Sequence, residues 1–278
     1  MFRLVYGTSC RSTHHKFAMD ALKRLDEELR EPWLRAFLLY HQDYLRGAKD
    51  PDLRFRDFTN HVLHVGDNYW GGAIGAAEKW YGLALAALQQ REWGHAIYAC
   101  GVLSHYVTDP VMPFHTGQSD RETVIHRACE WSITKSYDSI HQQTLLRVGH
   151  VEVPFSDDAD WLAQAIRYGA EAGHRHYDDL LEHYHFERGV KDPPAGLDPH
   201  CRELLARLFG VSIQLWAGIL SRLLHQAKVS PPVEDMTFPL LFTMLDAPMR
   251  LIVAKIADAQ ERELVRSMFE EWQRTGTV

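Results

Sequence analysis

The sequence predicts an all-α protein, and three observations carry that prediction. Apolar residues recur at helical spacing through most of the chain, nowhere do they alternate with period two over a span long enough for a sheet, and Pro/Gly clusters punctuate the helical stretches. With 278 residues, 46% of them hydrophobic and only 12 Pro, the chain can bury one sizeable core, so a single multi-helix domain over residues 1–278 is expected.

Ser12 and Thr13 are natural N-caps for a first helix from His14, HHKFAMDALKRLDEELR, with Phe17, Ala21, Leu22 and Leu25 on one face. Pro32 suits the start of a second helix, roughly Trp33 to Arg46, with Leu34, Phe37, Leu38, Tyr40 and Leu45 apolar and Gly47 as its stop. AKDPDLRFRDFTNHVLHVGDNYWGG then reads as a loop, in which Asp50-Pro51-Asp52 is a turn by its local chemistry. Helices follow at Ala73–Gln90, through Trp80, Tyr81, Leu83, Leu85 and Leu88, and at Glu92–Thr108, through Ala96, Ile97, Cys100, Leu103 and Tyr106. Small side chains at Ala76, Ala77, Ala84, Ala86 and Ala87 let these helices approach closely.

Ser119 and Asp120 cap a further helix, in which Glu122 has no role beyond favouring the helix dipole. Arg147 to Asp158 reads as a loop and Trp161 to His185 as helix; its His174, His176, His183 and His185 lack paired carboxylates in register and read as a solvated face. GVKDPPAGLDP is a break ahead of a strongly apolar helix, Cys201 to Ala227. After VSPPVED, Phe238 to Trp272 closes the chain as one or two helices interrupted near Pro248.

Charge and cysteine usage narrow the function. The net charge is −7 and the 30 basic residues are spread among acids, so no basic footprint for duplex nucleic acid exists. Cys10, Cys100, Cys129 and Cys201 form no C-x-x-C and read as reduced, buried thiols. MFRLVYGTSCRST has no basic segment followed by a long apolar run, so a cytoplasmic location is expected, and no run of about 18 apolar residues suggests a membrane span.

The chemistry concentrates in residues 104–133, SHYVTDPVMPFHTGQSDRETVIHRACEWSI. His105 and Asp109 stand four apart, His115 follows in a Pro-bounded turn, and His126 and Glu130 stand four apart again. Side chains at i and i+4 leave a helix from one face, so each His/carboxylate pair can close on an ion. Imidazole nitrogen and carboxylate oxygen suit zinc. Pro110 pushes Asp109 out of the α region and makes it the last residue of its helix. The bland reading is ordinary i,i+4 charge pairing on a His-rich helix pair.

HYVTDPVMPFH followed by HRACE resembles the core motif of the zinc-dependent phospholipase C and S1/P1 nuclease superfamily, H-Y-x-x-D-x-x-x-P-x-H and then H-x-x-x-E or H-x-x-x-D; the match includes Tyr106 and Pro113. It covers about residues 14 to 133, with the helical C-terminal half, 134–278, matching only in being helical. The resemblance implies a multi-helix bundle of that type and a cluster of two to three zinc ions that hydrolyses phosphodiesters.

The family's ligand His before the first long helix corresponds to His14, with His15 as its neighbour. Its loop Asp, and a His-x-x-Asp about fourteen residues later, correspond to Asp50 and His64 (with Asp67), and Asp52 and His61 compete for these roles. The resemblance thus implies one ion on Asp50, His64, His105 and Asp109, a second on His115, His126 and Glu130, and a third on His14 with Asp109. Asp50 resembles the proposed general base. Secreted relatives complete the third site with an amino-terminal Trp, and this chain begins Met-Phe.

The implied substrate is a small phosphoester or phospholipid headgroup, with Phe2, Tyr6, Phe55, Phe58, Tyr69 and Trp70 as sources of an apolar rim. Two other accounts compete: a single-strand nuclease with an aromatic slot for a base, and a catalytically idle protein whose ions staple helices.

Overall fold

The computed structural model describes residues 1–233 and 237–276; the expected VSPPVED connector runs partly outside the described residues. Among the described residues there is no strand, and the only β-type pairings are isolated bridges between His64 and Trp70 and between Tyr184 and Leu197.

Residues ahead of the first expected helix already form one, α1 (Phe2–Ser9). In α2 (Thr13–Ala21) the Ser12 hydroxyl accepts the His15 amide at 3.3 Å, as the N-cap reading expects. The next helix, α3 (Glu27–Leu39), begins before Pro32 rather than after it. Glu27 and Glu28 in its first turn favour the dipole, and Pro32 gives up only the one N–H that would bond four residues back. A bend at Tyr40 separates it from α4 (His41–Gly47).

After the irregular stretch 48–72 come α5 (Ala73–Gln89) and α6 (Trp93–Thr108), close to the expected bounds. The rest is helical as well: α7 (Asp120–Gln143), capped by Ser119, then α8 (Trp161–His174), α9 (Tyr177–His183), α10 (Phe186–Lys191), α11 (Pro199–Ala227) and α12 (Thr237–Thr275), which continues through Pro248. The stretch read as one helix over 161–185 is thus two, broken at Arg175 and His176.

The core is organised around α11, which packs against α2, α5, α6, α7 and α8. By length and composition α11 could cross a membrane, but 83% of its apolar window is buried, which marks it as the central core helix. Trp216 on α11 donates its indole N–H to Tyr44 at 2.9 Å, and Tyr44 donates to the Ala18 carbonyl at 2.9 Å, so one buried chain of hydrogen bonds ties α2, α4 and α11 together. Phe17, Tyr137 and Phe209 pack ring against ring beside it, at centroid distances of 4.7–5.4 Å.

Two glycines set how close α4 comes to α6. A Cβ on Gly101 would lie 2.2 Å from the Tyr44 carbonyl oxygen, and one on Gly47 would lie 2.2 Å from that of Tyr98. This close approach seats α4, and the loop that follows it, against the helix carrying His105. All four cysteines are buried and unpaired.

Candidate metal centre

Four segments deliver side chains to one pocket: the start of α2, the loop over 50–61, the end of α6 with the turn after it, and the first half of α7. The loop contributes through two short turns, Pro51–Phe55 and Phe58–His61. The end of α6 contributes His105 and Asp109, with Asp109 in αR backbone (φ −59°, ψ −49°) despite the following Pro110. The usual preference of a residue before proline is overridden here. Asp109 is held by imidazoles on several sides: His105 Nε2 at 3.0 Å and His61 Nδ1 at 2.9 Å from Oδ2, and His14 Nε2 at 3.3 Å from Oδ1.

Asp52 Oδ1 lies 3.5 Å from His61 Nδ1 and 3.5 Å from His105 Nε2, and those two nitrogens are 3.1 Å apart. Donor atoms about 2.0–2.2 Å from a tetrahedral zinc stand roughly 3.3–3.6 Å from one another. His61, His105 and Asp109 present donors 2.9 to 3.1 Å apart, and Asp52 Oδ1 stands 3.5 Å from both imidazoles of that trio, edges of about that size.

A second group has His115 Nε2 and His126 Nε2 each 3.2 Å from Glu130 Oε1, three donors with room for a fourth partner. On the side of each ring away from these contacts, His14 Nδ1, His61 Nε2 and His115 Nδ1 are buried without a hydrogen-bond partner. The donor chemistry and the spacing fit zinc.

The sequence profile of the family described as zinc-dependent phospholipase C matches residues 13–191, which contain every one of these donors. The chain belongs to the zinc-dependent phospholipase C family. No curated protein matches it in sequence. Among solved structures it is similar to alpha toxin from Clostridium absonum, at 15% identity and a TM-score of 0.54, over 78% of this chain. It spans 65% of the toxin chain, so the likeness is one of fold.

Within this zinc-dependent phospholipase C fold, the residues expected as ligands divide. His14, His105, Asp109, His115, His126 and Glu130 come together; Asp50 and His64 do not. Asp50 Oδ2 accepts from the Tyr98 hydroxyl at 2.7 Å and from Arg54 at 3.3 Å, on the far side of the Pro51–Phe55 turn. In helical backbone, side chains two residues apart leave the axis about 200° apart, so a turn that sends Asp52 into the cluster sends Asp50 away from it. The ring of His64 packs on Trp70 at 5.0 Å, with Nδ1 3.5 Å from Asp67, because the chain there pairs with Trp70 instead of turning inward. His61, at the end of its 3₁₀ turn, is buried in the cluster in its place. His15 spends both ring nitrogens on backbone, the Arg11 amide at 3.1 Å and the Leu45 carbonyl at 3.0 Å.

A further shell orients the donors. Backing His105, the Ala48 carbonyl lies 3.0 Å from Nδ1, which leaves Nε2 facing the cluster. Glu122 Oε1 bonds His126 Nδ1. Glu122 therefore does more than favour the dipole, and the sequence held the signal: Glu122, His126 and Glu130 are spaced i, i+4, i+8 on one face of α7. Tyr106 donates to Asp57, whose Oδ1 lies 3.4 Å from His61 Nε2.

Electrostatics follow from burial among mixed charges. Burial opposes ionisation of Asp109, but His105, His115 and His14 outweigh it and hold the carboxyl well below its usual range. Glu130, about half exposed, is held below its usual range by His126 and His115. Burial would pull His126 down, yet Glu130 and Glu122 push it up to about 10. His14 is lowered to about 3 by burial and by His105. Asp52 is lowered by His105, His14 and Lys49 in spite of burial.

The expected apolar rim is partly present. Phe55, Phe58 and Trp70 are exposed around the loop that carries Asp52 and His61, and Leu53 joins them. Phe2 and Tyr6 sit instead on α1, where the Lys23 ammonium lies over both rings, and the Tyr69 hydroxyl is taken up by Glu171. Of the second His-rich stretch, His174, His176 and His183 pair with Thr116, Asp179 and Asp198 in turn, and form no donor group like the first.

Proposed function

We propose that this chain is a zinc-dependent phosphodiester hydrolase of the phospholipase C type, acting on phospholipid headgroups. The observation that carries the reading is the convergence of five imidazoles and three carboxylates, from four segments, on one pocket beside an exposed apolar rim. In this reading Asp52, His61, His105 and Asp109 hold one ion, and His115, His126 and Glu130 a second. His14 supplies a donor for a third, with Asp52 and Asp109 at 3.9 and 3.3 Å. Zinc in such a set polarises a phosphoryl oxygen and acidifies water.

The protein's own groups do the rest. Asp52 keeps 26% of its side chain accessible against 2% for Asp109, so it is the carboxylate of the first group that meets arriving water and takes up its proton. His105 and His126, each fixed through Nδ1, hold their remaining nitrogens in place without reorganisation. Leu53, Phe55, Phe58 and Trp70 offer apolar surface for the glyceride side of a lipid.

The test is hydrolysis of short-chain phosphatidylcholine, bis(p-nitrophenyl) phosphate and a dinucleotide, before and after removal of metal with a chelator and return of zinc. Zinc-restored hydrolysis, fastest on the phosphatidylcholine, is the expected result. Preference for the dinucleotide would reassign the site to nuclease chemistry, and absence of zinc-dependent turnover on all three would refute the hydrolase reading.

A further inference from the structure

The two aspartates of the first donor group each divide their oxygens between two sides. Asp109 turns Oδ2 to His61 and His105, at 2.9 and 3.0 Å, and Oδ1 to His14, at 3.3 Å. Asp52 divides in the same way: Oδ1 lies 3.5 Å from both His61 and His105, and Oδ2 lies 3.9 Å from His14. The inner oxygens thus belong with His61 and His105. The outer pair, with His14 Nε2, frames a separate place for an ion. A protein cation already stands against that place, because the Lys49 ammonium donates to Asp52 Oδ2 at 2.5 Å. Among the described residues, Lys49 is the only lysine or arginine paired with a donor carboxylate of the pocket.

The fold holds this lysine in place from both ends of its own peptide. The Ala48 carbonyl just before it lies 3.0 Å from His105 Nδ1, the Lys49 amide donates to the Arg46 carbonyl at 3.1 Å, and the Lys49 carbonyl accepts from the Leu53 amide at 3.2 Å. Its stem therefore leaves a fixed point between the end of α4 and the turn that carries Asp52. Only 30% of the side chain is exposed, against 26% for Asp52. A pair sheltered to that degree is screened less by salt and water than one on the open surface.

We infer that Lys49 sets how many ions the pocket holds, by keeping the outer oxygen of Asp52 from a third. A lysine ammonium has three donors and no lone pair, so it bonds the carboxylate but cannot ligate a metal. An ion on His14, Asp109 Oδ1 and Asp52 Oδ2 would have to share that last oxygen with the ammonium, which sets two positive charges side by side in a partly buried place. The protein therefore binds two ions tightly, one on the inner oxygens with His61 and His105 and one on His115, His126 and Glu130. A third enters on the His14 side only against Lys49. In the two-ion state the ammonium is itself the positive charge on that side of the pocket. That the ions are zinc rests on the reading above, and the part of Lys49 in counting them is separate from it.

The experiment counts zinc on the full chain, by elemental analysis after desalting and by competition with a chromophoric chelator, and scores no turnover. It compares the wild type, Lys49→Arg, Lys49→Met and the double variant Lys49→Met/His14→Ala. The wild type should keep two ions and show a third site about tenfold weaker or more, since one neighbouring charge in a partly screened site is of that order. Lys49→Arg keeps the charge and should match it. Lys49→Met keeps the stem without the charge, and should bind the third ion about tenfold more tightly or better and retain it through desalting. Removing the His14 donor as well should return the count to two.

A wild type that holds three ions with like affinity overturns the inference, and this measurement needs no variant to fold. A third site in Lys49→Met no tighter than that of the wild type overturns it as well, and so does a gain that persists when His14 is removed. A wild type that takes up no zinc at all refutes the zinc reading instead. Zinc uptake without the two-plus-one pattern refutes the role of Lys49 alone, and the pattern without hydrolysis of any phosphoester refutes the hydrolase reading alone.

Discussion

Replacing Glu122 with Gln tests whether the second donor group is held from behind. Glu122 is buried, and its carboxylate bonds His126 Nδ1, which leaves His126 Nε2 directed at Glu130 and His115. Gln keeps the shape, and the Ser119 cap to the residue 122 amide is a backbone contact that survives. What is lost is the negative charge that fixes the tautomer and raises the basicity of the imidazole. Loss of such an outer partner weakens metal binding about 10–100-fold, or about 1.4–2.7 kcal/mol.

Competition with a chromophoric chelator measures this directly. The variant should bind the zinc of that site at least tenfold more weakly, and excess zinc should restore most of its hydrolysis, whereas His126→Ala should not be rescued. Zinc affinity within twofold of wild type would refute the argument that Glu122 positions His126.

Stability of the metal-free protein depends on pH through His126. In the metal-free protein, burial disfavours charged His126 but Glu130 and Glu122 raise its pKa to about 10, above the usual value of 6.5. A raised folded pKa contributes stability that is complete below about 6.5 and is lost as pH climbs through about 10. Chelated protein should therefore lose melting temperature over that window. Zinc requires the deprotonated ring, so zinc-induced stabilisation should grow over the same window.

Three further outcomes follow from the geometry. Asp52→Asn should lose bound zinc, counted by elemental analysis, and at least 100-fold in hydrolysis, a loss of about 2.7 kcal/mol in transition-state stabilisation; Asp50→Asn should keep its zinc and lose only about 1.5–3 kcal/mol of fold stability through the charge-assisted bond to Tyr98. His61→Ala should likewise lose metal while His64→Ala retains it, and the reverse pattern in either pair would restore the ligands expected from the family spacing. Gly101→Ala places a methyl 2.2 Å from the Tyr44 carbonyl oxygen and should cost about 1–3 kcal/mol or more, read as a lowered melting temperature.

Much of the protein was legible before its fold was known. The helical class, the bounds of α5 and α6, the Ser12 and Ser119 caps, and the candidate donors on α6 and α7 rest on local periodicity and i,i+4 spacing, which a helix converts into geometry almost without tertiary help. Even Glu122 was visible in the same spacing once the inward face of α7 was taken as a unit. Helix α1 lies in a short stretch with no side-chain cap to announce it, and α3 starts ahead of the expected Pro32 because the proline lies more than a turn inside the helix.

What the chain settled by itself, then, is which residue types occur at helical spacing, and hence the fold class and the candidate donors borne on regular helices, with the family following from the resemblance of one motif. What only the tertiary structure decided is which of two nearby residues in an irregular loop turns inward, Asp52 over Asp50 and His61 over His64, and which side of α12 meets the protein. Spacing along a helix fixes direction, because the backbone repeats. Direction in a loop, and the choice between two faces of one helix, depend on what packs against them, which no local pattern specifies.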